Sequence, residues 1–221
     1  MSSFDRLTVY QAILKSGLVP LFFHPDFETA HSVVEACSAG GASVIEFTNR
    51  GEGALSVFAR LVDAFRKDNP SLILGVGSVI DAPTAALYLA HGANYIVAPN
   101  FNPEVARLCN KRKVAYIPGA ATPTEISTAE EAGAEIVKIF PPDPELIRNV
   151  LGPMPWSRLM PSGGVEVKKE NVASWIKAGA CALGIGSNLV SRTALANRDF
   201  DSIREGTRSM LAWIQEARAG K

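Results

Sequence analysis

This 221-residue chain has no net charge and contains only three cysteines and three histidines. Each of these features argues against a class of function. The 22 lysines and arginines are balanced by 22 aspartates and glutamates, so no net field attracts nucleic acid or an anionic membrane. An anionic ligand would have to be held by a local site. The three cysteines, Cys37, Cys109 and Cys181, are scattered and odd in number, which predicts reduced thiols in a cytoplasmic protein.

Metal-ligand spacing and long apolar runs are also missing. His24, His31 and His91 lie in three separate segments, so no metal site is predicted. No uninterrupted apolar run approaches the ~18 residues of a membrane span. Residues 1–17 mix polar and apolar side chains and are not predicted to form a signal peptide. No glycine-rich dinucleotide fingerprint follows the first predicted strand, and no cofactor is predicted.

What the chain does contain is a regular alternation of short β-rich runs and helical stretches. The predicted strands begin near Leu18, Ser43, Leu72, Tyr95, Val114, Glu135, Arg158 and Cys181. Eight such units without a break in composition predict one domain over residues 1–221, an α/β fold of the closed (β/α)₈ TIM-barrel type. Residues 3–15 predict an extra N-terminal helix, and residues 200–220 predict a closing helix. A doubly wound open sheet is the alternative, because the same alternation serves both folds.

Two of the predicted strands carry charged residues on the face that should point into the barrel. The sixth reads EIVKIFP, and its period of two places Lys138 and Phe140 on the inward face. On the second strand, Glu46, Thr48 and Arg50 share a face, while the apolar residues between them suit the helix layer. Because barrel active sites lie at the carboxyl ends of the strands, these side chains are predicted to share one site.

A lysine, a glutamate and an arginine that face one dry cavity suit covalent chemistry on a keto acid. Burial and a neighbouring cation such as Arg50 favour a neutral amine, which would make Lys138 a nucleophile toward a ketone. Glu46 is then predicted to transfer protons, and Arg50 to bind a carboxylate in bidentate fashion. The alternative is a structural ion pair between Lys138 and Glu46, which would be costly to desolvate.

Glycine-rich turns follow the seventh and eighth predicted strands, which end in PSGGV and GIGSNLV. Gly163, Gly164 and Gly186 allow backbone amides to approach an anion, and Ser187 adds a hydroxyl group. Loops after strands 7 and 8 are a recurrent phosphate site in barrels, so phosphate binding is predicted here. Ordinary turns are the alternative.

Three further residues are candidates for the walls of the site. Ser78 ends the stretch LGVGS, and its amide or hydroxyl is a candidate to help hold a substrate carboxylate, with an ordinary turn as the alternative. Pro99, after the fourth predicted strand, and Phe140 are predicted to shape the pocket walls.

These motifs, in this order, resemble the 2-dehydro-3-deoxy-phosphogluconate (KDPG) and 4-hydroxy-2-oxoglutarate (KHG) aldolases. The matching pieces are GGASVIEFTNR, GVGSV, AYIPGAATPTEI, EIVKIFP, LMPSGGV and GIGSNLV, between about residues 19 and 190. The resemblance implies a metal-free class I aldolase acting on a small 2-keto acid, and a homotrimer. It implies that Lys138 forms a Schiff base, Glu46 transfers protons and Arg50 binds the carboxylate. The glycine pair and the Gly186-Ser187 turn would hold phosphate.

Some loops depart from the pattern of that family. Residues 98–100 read Ala-Pro-Asn where the family usually has Ser-Pro-Gly, and residues 140–143 read Phe-Pro-Pro-Asp in place of Phe-Pro-Ala-Glu. These loops would touch the aldehyde half of the substrate, so the sugar acid itself stays open. Two other functions also stay open: another phosphosugar barrel enzyme, such as an epimerase or synthase, and a non-catalytic barrel that binds a keto acid.

Overall fold

The computed structural model describes residues 3–220, in which helices and strands alternate along the chain. The strands are β1 (Leu18–Phe22), β2 (Val44–Thr48), β3 (Ile73–Gly77), β4 (Tyr95–Val97), β5 (Ala115–Ile117), β6 (Gly119–Ala120), β7 (Val137–Ile139), β8 (Leu159–Pro161) and β9 (Leu183–Ile185). The helices are α1 (Arg6–Ser16), α2 (Phe27–Ala39), α3 (Ala54–Asp68), α4 (Ala82–Ala90), α5 (Pro103–Arg112), α6 (Pro123–Glu131), α7 (Pro144–Leu151), α8 (Lys169–Ala178), α9 (Arg192–Ala196) and α10 (Phe200–Ala219). The N-terminal and closing helices predicted from the sequence are therefore present as α1 and α10.

Every strand pairing is parallel, and the strand order follows the chain. One sheet has six strands in the order β5-β4-β3-β2-β1-β9, and the other has three in the order β6-β7-β8. The first and last strands pair, with Leu18 opposite Leu183. A doubly wound sheet keeps its first strand in the middle and reverses its order there, so this arrangement does not fit that alternative. The observed architecture is an α/β fold with curved parallel sheet.

Two helix starts carry the local signal of a capping residue followed by proline, at Asn102-Pro103 and Thr122-Pro123. Asn102 and Thr122 cap α5 and α6, and each accepts a hydrogen bond from backbone N–H groups of the first turn, ahead of a proline at the first helical position. The Ala39-Gly40 pair in the sequence predicts a left-handed turn at Gly40 after α2. This prediction is wrong, because Gly40 has an ordinary φ of −74° and the left-handed glycine is Gly41, with φ of 105°.

The apolar side chains form two clusters on the two faces of the strands. The outer cluster packs the strands against the helices, and the inner cluster fills the space that the strands enclose. The inner cluster consists of Val9, Tyr10, Ile13, Val19, Val44, Ile73, Tyr95, Val97, Ala115, Ile117, Ile136, Met160 and Ala182. The first three belong to α1, and the Tyr10 hydroxyl donates to the Tyr116 carbonyl at 3.0 Å. Helix α1 therefore covers one end of the inner cluster, and the strands' carboxyl ends remain for a site.

The described part of the chain, residues 3–220, lacks two kinds of feature. No helix there is long and apolar enough to cross a membrane. The same residues contain no group of three or more histidine, cysteine, aspartate or glutamate side chains placed to hold a metal ion. Cys37 and Cys109 are buried and Cys181 is half-buried, and all three are free thiols. Burial raises the pKa of each thiol to about 12, so none is a ready nucleophile.

Candidate functional site

A cavity of about 470 Å³ opens beside the carboxyl ends of β1, β2, β7, β8 and β9. Eight of the eleven residues predicted to form the site line it: Thr48, Arg50, Lys138, Phe140, Gly163, Gly164, Gly186 and Ser187. The remaining three, Glu46, Ser78 and Pro99, lie outside the lining. The structure therefore brings together most of the predicted residues from four separate parts of the chain.

Lys138 lies in the middle of β7 and is 4% exposed. Its neighbours Val137 and Ile139 belong to the outer cluster, so the alternation of the strand directs Lys138 to the inner side. The backbone N–H of Lys138 donates to the Pro118 carbonyl at 2.8 Å. Its Nζ lies 5.3 Å from the centre of the Phe140 ring, which is 41% exposed at the cavity wall. The backbone of Lys138 is thus held by the sheet, and its side chain lines the cavity beside the Phe140 ring.

Glu46 lies on β2, one inward position deeper than Thr48, and is 1% exposed. Neither carboxylate oxygen has a hydrogen-bond partner within residues 3–220, and no ion pair of 4.0 Å or less joins Glu46 to Lys138 in that range. Loss of solvent raises the pKa of Glu46, an effect opposed by the charges of Lys138 and Arg50. The structural ion pair considered as an alternative is therefore not formed here, and the carboxylate is left without a partner.

Strand β3 makes room for Glu46, because both of its inward positions near the carboxylate are glycines. A Cβ atom added at Gly77 would overlap Oε1 of Glu46. A Cβ atom added at Gly75 would overlap the ring of Tyr95, which reaches over from β4. The stretch ILGVG thus supplies outward-facing Leu74 and Val76 for the core and leaves the inner side open to side chains of neighbouring strands.

Arg50 lies at the rim, where β2 has ended, and its side chain is oriented by Ser78. The Nε of Arg50 donates to the Ser78 hydroxyl at 3.0 Å. Ser78 has φ of 60°, in the left-handed region that non-glycine residues rarely occupy and that is common at functional sites. Thr48 donates from its hydroxyl to the Phe22 carbonyl at 3.2 Å, which ties that cavity wall to β1. Pro99 is half-buried, and its carbonyl packs against Gly119.

The two glycine-rich turns lie side by side in the cavity wall. Gly163 and Gly164 have φ of 92° and 63°, so this turn requires glycine at both positions. Asn188, which follows Ser187, donates from Nδ2 to the Val165 carbonyl at 2.8 Å and so joins the turn after β9 to the turn after β8. Backbone N–H groups in such turns form concave anion sites.

Arg192 is a lining residue that the sequence reasoning missed. It begins the five-residue helix α9, whose N-cap Ser191 accepts a hydrogen bond from the Ala194 N–H at 3.0 Å. Arg192 and Leu195, one turn apart, both line the cavity. Arg192 is exposed, and its side chain forms no ion pair or hydrogen bond with the residues described. Ser191, an N-cap residue type shortly after the GIGSNLV stretch, was the available signal for this short helix.

The sequence of this chain is similar to those of known aldolases. Residues 9–205 match the family model described as KDPG and KHG aldolase. The 2-dehydro-3-deoxy-phosphogluconate aldolase of Treponema pallidum is 29% identical over 201 residues, which cover 89% of this chain and 93% of that protein. The KHG/KDPG aldolase of Escherichia coli K12 is 28% identical over 209 residues, which cover 92% of this chain and 95% of that protein.

Among solved structures, one similar protein was captured with a ligand attached. It is the KDPG aldolase of Legionella pneumophila, with pyruvate captured at low pH as a covalent carbinolamine intermediate. Its TM-score against this chain is 0.82 at 25% sequence identity, with 90% of this chain and 96% of that chain covered.

Proposed function

This chain belongs to the KDPG and KHG aldolase family, and we propose that it is a class I aldolase that cleaves a 2-keto-4-hydroxy acid to pyruvate and an aldehyde. KDPG would give glyceraldehyde 3-phosphate as the aldehyde, and KHG would give glyoxylate. The observation that carries this proposal is the amine of Lys138, buried in a parallel strand and lining a cavity that also contains Arg50.

In the proposed mechanism, Nζ of Lys138 attacks the C2 ketone of the substrate, and the carbinolamine loses water to give an iminium ion. The iminium withdraws electrons, so the C3–C4 bond can break while Glu46 takes the C4 hydroxyl proton, directly or through a water. The C4 fragment leaves as the aldehyde. The remaining enamine is protonated at C3, and hydrolysis releases pyruvate and restores the free amine.

The other predicted residues would bind the parts of the substrate that do not react. Arg50, oriented by Ser78, is proposed to bind the C1 carboxylate. Thr48, Phe140 and Pro99 would form the walls around the reacting carbons. The turns containing Gly163, Gly164, Gly186 and Ser187, which also line the cavity, would bind a terminal phosphate.

We propose further that the two parallel sheets form one closed (β/α)₈ barrel. Ser162 bridges Gly184 between the ends of β8 and β9, and only Pro118, which lacks an N–H group, separates β5 from β6. On this interpretation β5 and β6 are one strand, and the strands form a ring of eight in chain order. The homotrimer and the cytoplasmic location implied by the sequence stay predictions.

The function is tested by measuring pyruvate release from KDPG and from KHG with lactate dehydrogenase as the coupling enzyme. We expect release from at least one of the two. A second measurement follows the methyl protons of pyruvate by NMR in deuterated water, since an enamine-forming enzyme exchanges them. An epimerase, a synthase or a non-catalytic binding protein would show neither release nor exchange, and that result would overturn the proposal.

The unpaired charge of Arg192 in the cavity lining predicts that the enzyme prefers a substrate with a phosphate far from the reacting carbons. Arg192→Ala is expected to raise KM for KDPG by about tenfold or more, since a hydrogen bond to a charged group contributes about 1.5–3 kcal/mol. The turnover number should change by less than about twofold, because the group lies away from the bond that breaks. KHG ends in a carboxylate close to those carbons, so its KM should hardly change.

Arg192→Lys and Arg107→Ala are the controls for that measurement. Lysine keeps the charge and should recover part of the affinity. Arg107 is an exposed residue of α5 outside the cavity lining, and its loss should leave both substrates unaffected. An equal rise in KM for KDPG and KHG in Arg192→Ala would instead indicate a general electrostatic effect.

A further inference from the structure

Tyr95 is the one tyrosine among the four of this chain whose hydroxyl has no hydrogen-bond partner within residues 3–220. The hydroxyls of Tyr10, Tyr88 and Tyr116 are each paired, with a carbonyl, with the Asn49 side chain and with the Asn102 N–H respectively. Tyr95 is 0% exposed and lies in the otherwise apolar inner cluster. Buried polar groups are almost always paired, so this phenol requires an explanation.

The other unpaired buried group of the inner side is the carboxylate of Glu46, and the two groups are neighbours across β3. Tyr95 comes from β4 and its ring occupies the space over Gly75. Glu46 comes from β2 and its Oε1 occupies the space over Gly77. Gly75 and Gly77 are successive inward positions, about 6.6 Å apart along a strand. The charge of Glu46 also raises the pKa of Tyr95, an effect second to burial.

Each group offers what the other lacks. An ionised carboxylate only accepts hydrogen bonds, whereas a neutral phenol has one hydrogen to donate. The ionisable groups that face Glu46 are Lys138 from β7, Arg50 from beyond the end of β2, and Tyr95 from β4. In the proposed reaction Lys138 is bonded to the substrate, and Arg50 is oriented toward the rim by Ser78. Tyr95 is the remaining group that can hold the carboxylate.

We infer that Tyr95 is a positioning residue for the substrate-bound state. Its phenol O–H and the Glu46 carboxylate are not bonded in this structure; when the substrate is attached to Lys138, the O–H donates a hydrogen bond to Glu46 and holds its carboxylate toward the substrate. This inference rests on the proposed aldolase function. No covalent bond to Tyr95 forms or breaks in the reaction. The proton taken from the C4 hydroxyl stays on Glu46 until it is transferred to C3 of the enamine.

The test is Tyr95→Phe, which removes only the hydroxyl and keeps the ring over Gly75. We expect kcat to fall by about tenfold while KM stays within about twofold. A donor favours the charged carboxylate, so its removal raises the pKa of Glu46. The acid limb of the kcat–pH profile should therefore move to higher pH by roughly one unit. A tyrosine that only fills space would leave the acid limb in place.

Three controls separate this inference from its premises. Tyr88→Phe loses a tyrosine hydroxyl outside the inner cluster and should leave the acid limb unchanged. In the Glu46→Gln background, Tyr95→Phe should reduce kcat no further, because the two residues act through one carboxylate. Borohydride trapping of pyruvate by Tyr95→Phe should persist, since Lys138 is intact. If the wild-type protein traps no pyruvate, the aldolase function is overturned. If the wild type traps pyruvate but Tyr95→Phe leaves both kcat and the acid limb unchanged, this inference alone is overturned.

Discussion

Lys138→Ala is expected to release no detectable pyruvate, a fall of at least about 10⁴-fold in kcat, because the residue is proposed to form the covalent intermediate itself. Without the amine there is no iminium to accept the electrons of the breaking C3–C4 bond. The coupled assay measures the loss. Mass spectrometry after borohydride reduction with pyruvate should show an added three-carbon acid on the peptide that contains Lys138, and none in the variant.

Two further variants show whether the amine acts as a nucleophile or only as a charge. Lys138→Arg keeps a positive charge but cannot be deprotonated, so it should be as inactive as alanine. Lys177→Ala changes an exposed lysine of α8 and should retain full activity and trapping. Substantial pyruvate release by Lys138→Arg, without trapping, would assign Lys138 an electrostatic role and overturn the Schiff-base mechanism.

Much of the fold could be predicted because each strand and helix carries its own local pattern. Short apolar runs, proline at helix starts and glycine after helix ends are consequences of backbone chemistry within a few residues. Pairing between distant segments is different. Nothing local specifies that β1 lies beside β9, or that β5 and β6 pair with strands of separate sheets. Those features depend on packing between segments far apart in the chain.

The site, like the fold, has features that local sequence predicts and features that depend on packing between distant segments. The period of two along β2 and β7 correctly predicted the inward faces that carry Glu46 and Lys138. Periodicity gives the face of a strand but not the depth of a side chain along the axis. It therefore could not predict that Glu46 lies below the cavity lining. Nor could it predict that glycines of β3 leave space for both Glu46 and Tyr95, because that requires the register of three adjacent strands.

Glu46→Gln is expected to lose activity and to gain stability at neutral pH. A neutral amide cannot accept the C4 hydroxyl proton, so kcat should fall by about 10²–10⁴-fold, the usual contribution of a positioned acid–base group. The carboxylate is buried without a hydrogen-bond partner, and removing its charge removes a desolvation cost. A gain of about 1 kcal/mol would raise Tm by roughly 2–4 °C in a chain of this size.

The pH dependence of that gain identifies its cause. Burial raises the pKa of Glu46 in the folded state above the value of about 4.3 in the unfolded chain. Between those two values the folded protein binds more protons than the unfolded one, so the wild type loses stability as pH rises, whereas the glutamine variant carries no such titration. Calorimetry from pH 4 to pH 8 should show the two Tm values converging at the acid end and separating above it. A variant less stable than the wild type at pH 7 would mean that Lys138 and Arg50 already compensate the charge. In that case Glu46 would be held as a structural anion, and its lack of hydrogen bonds would no longer support a proton-transfer role.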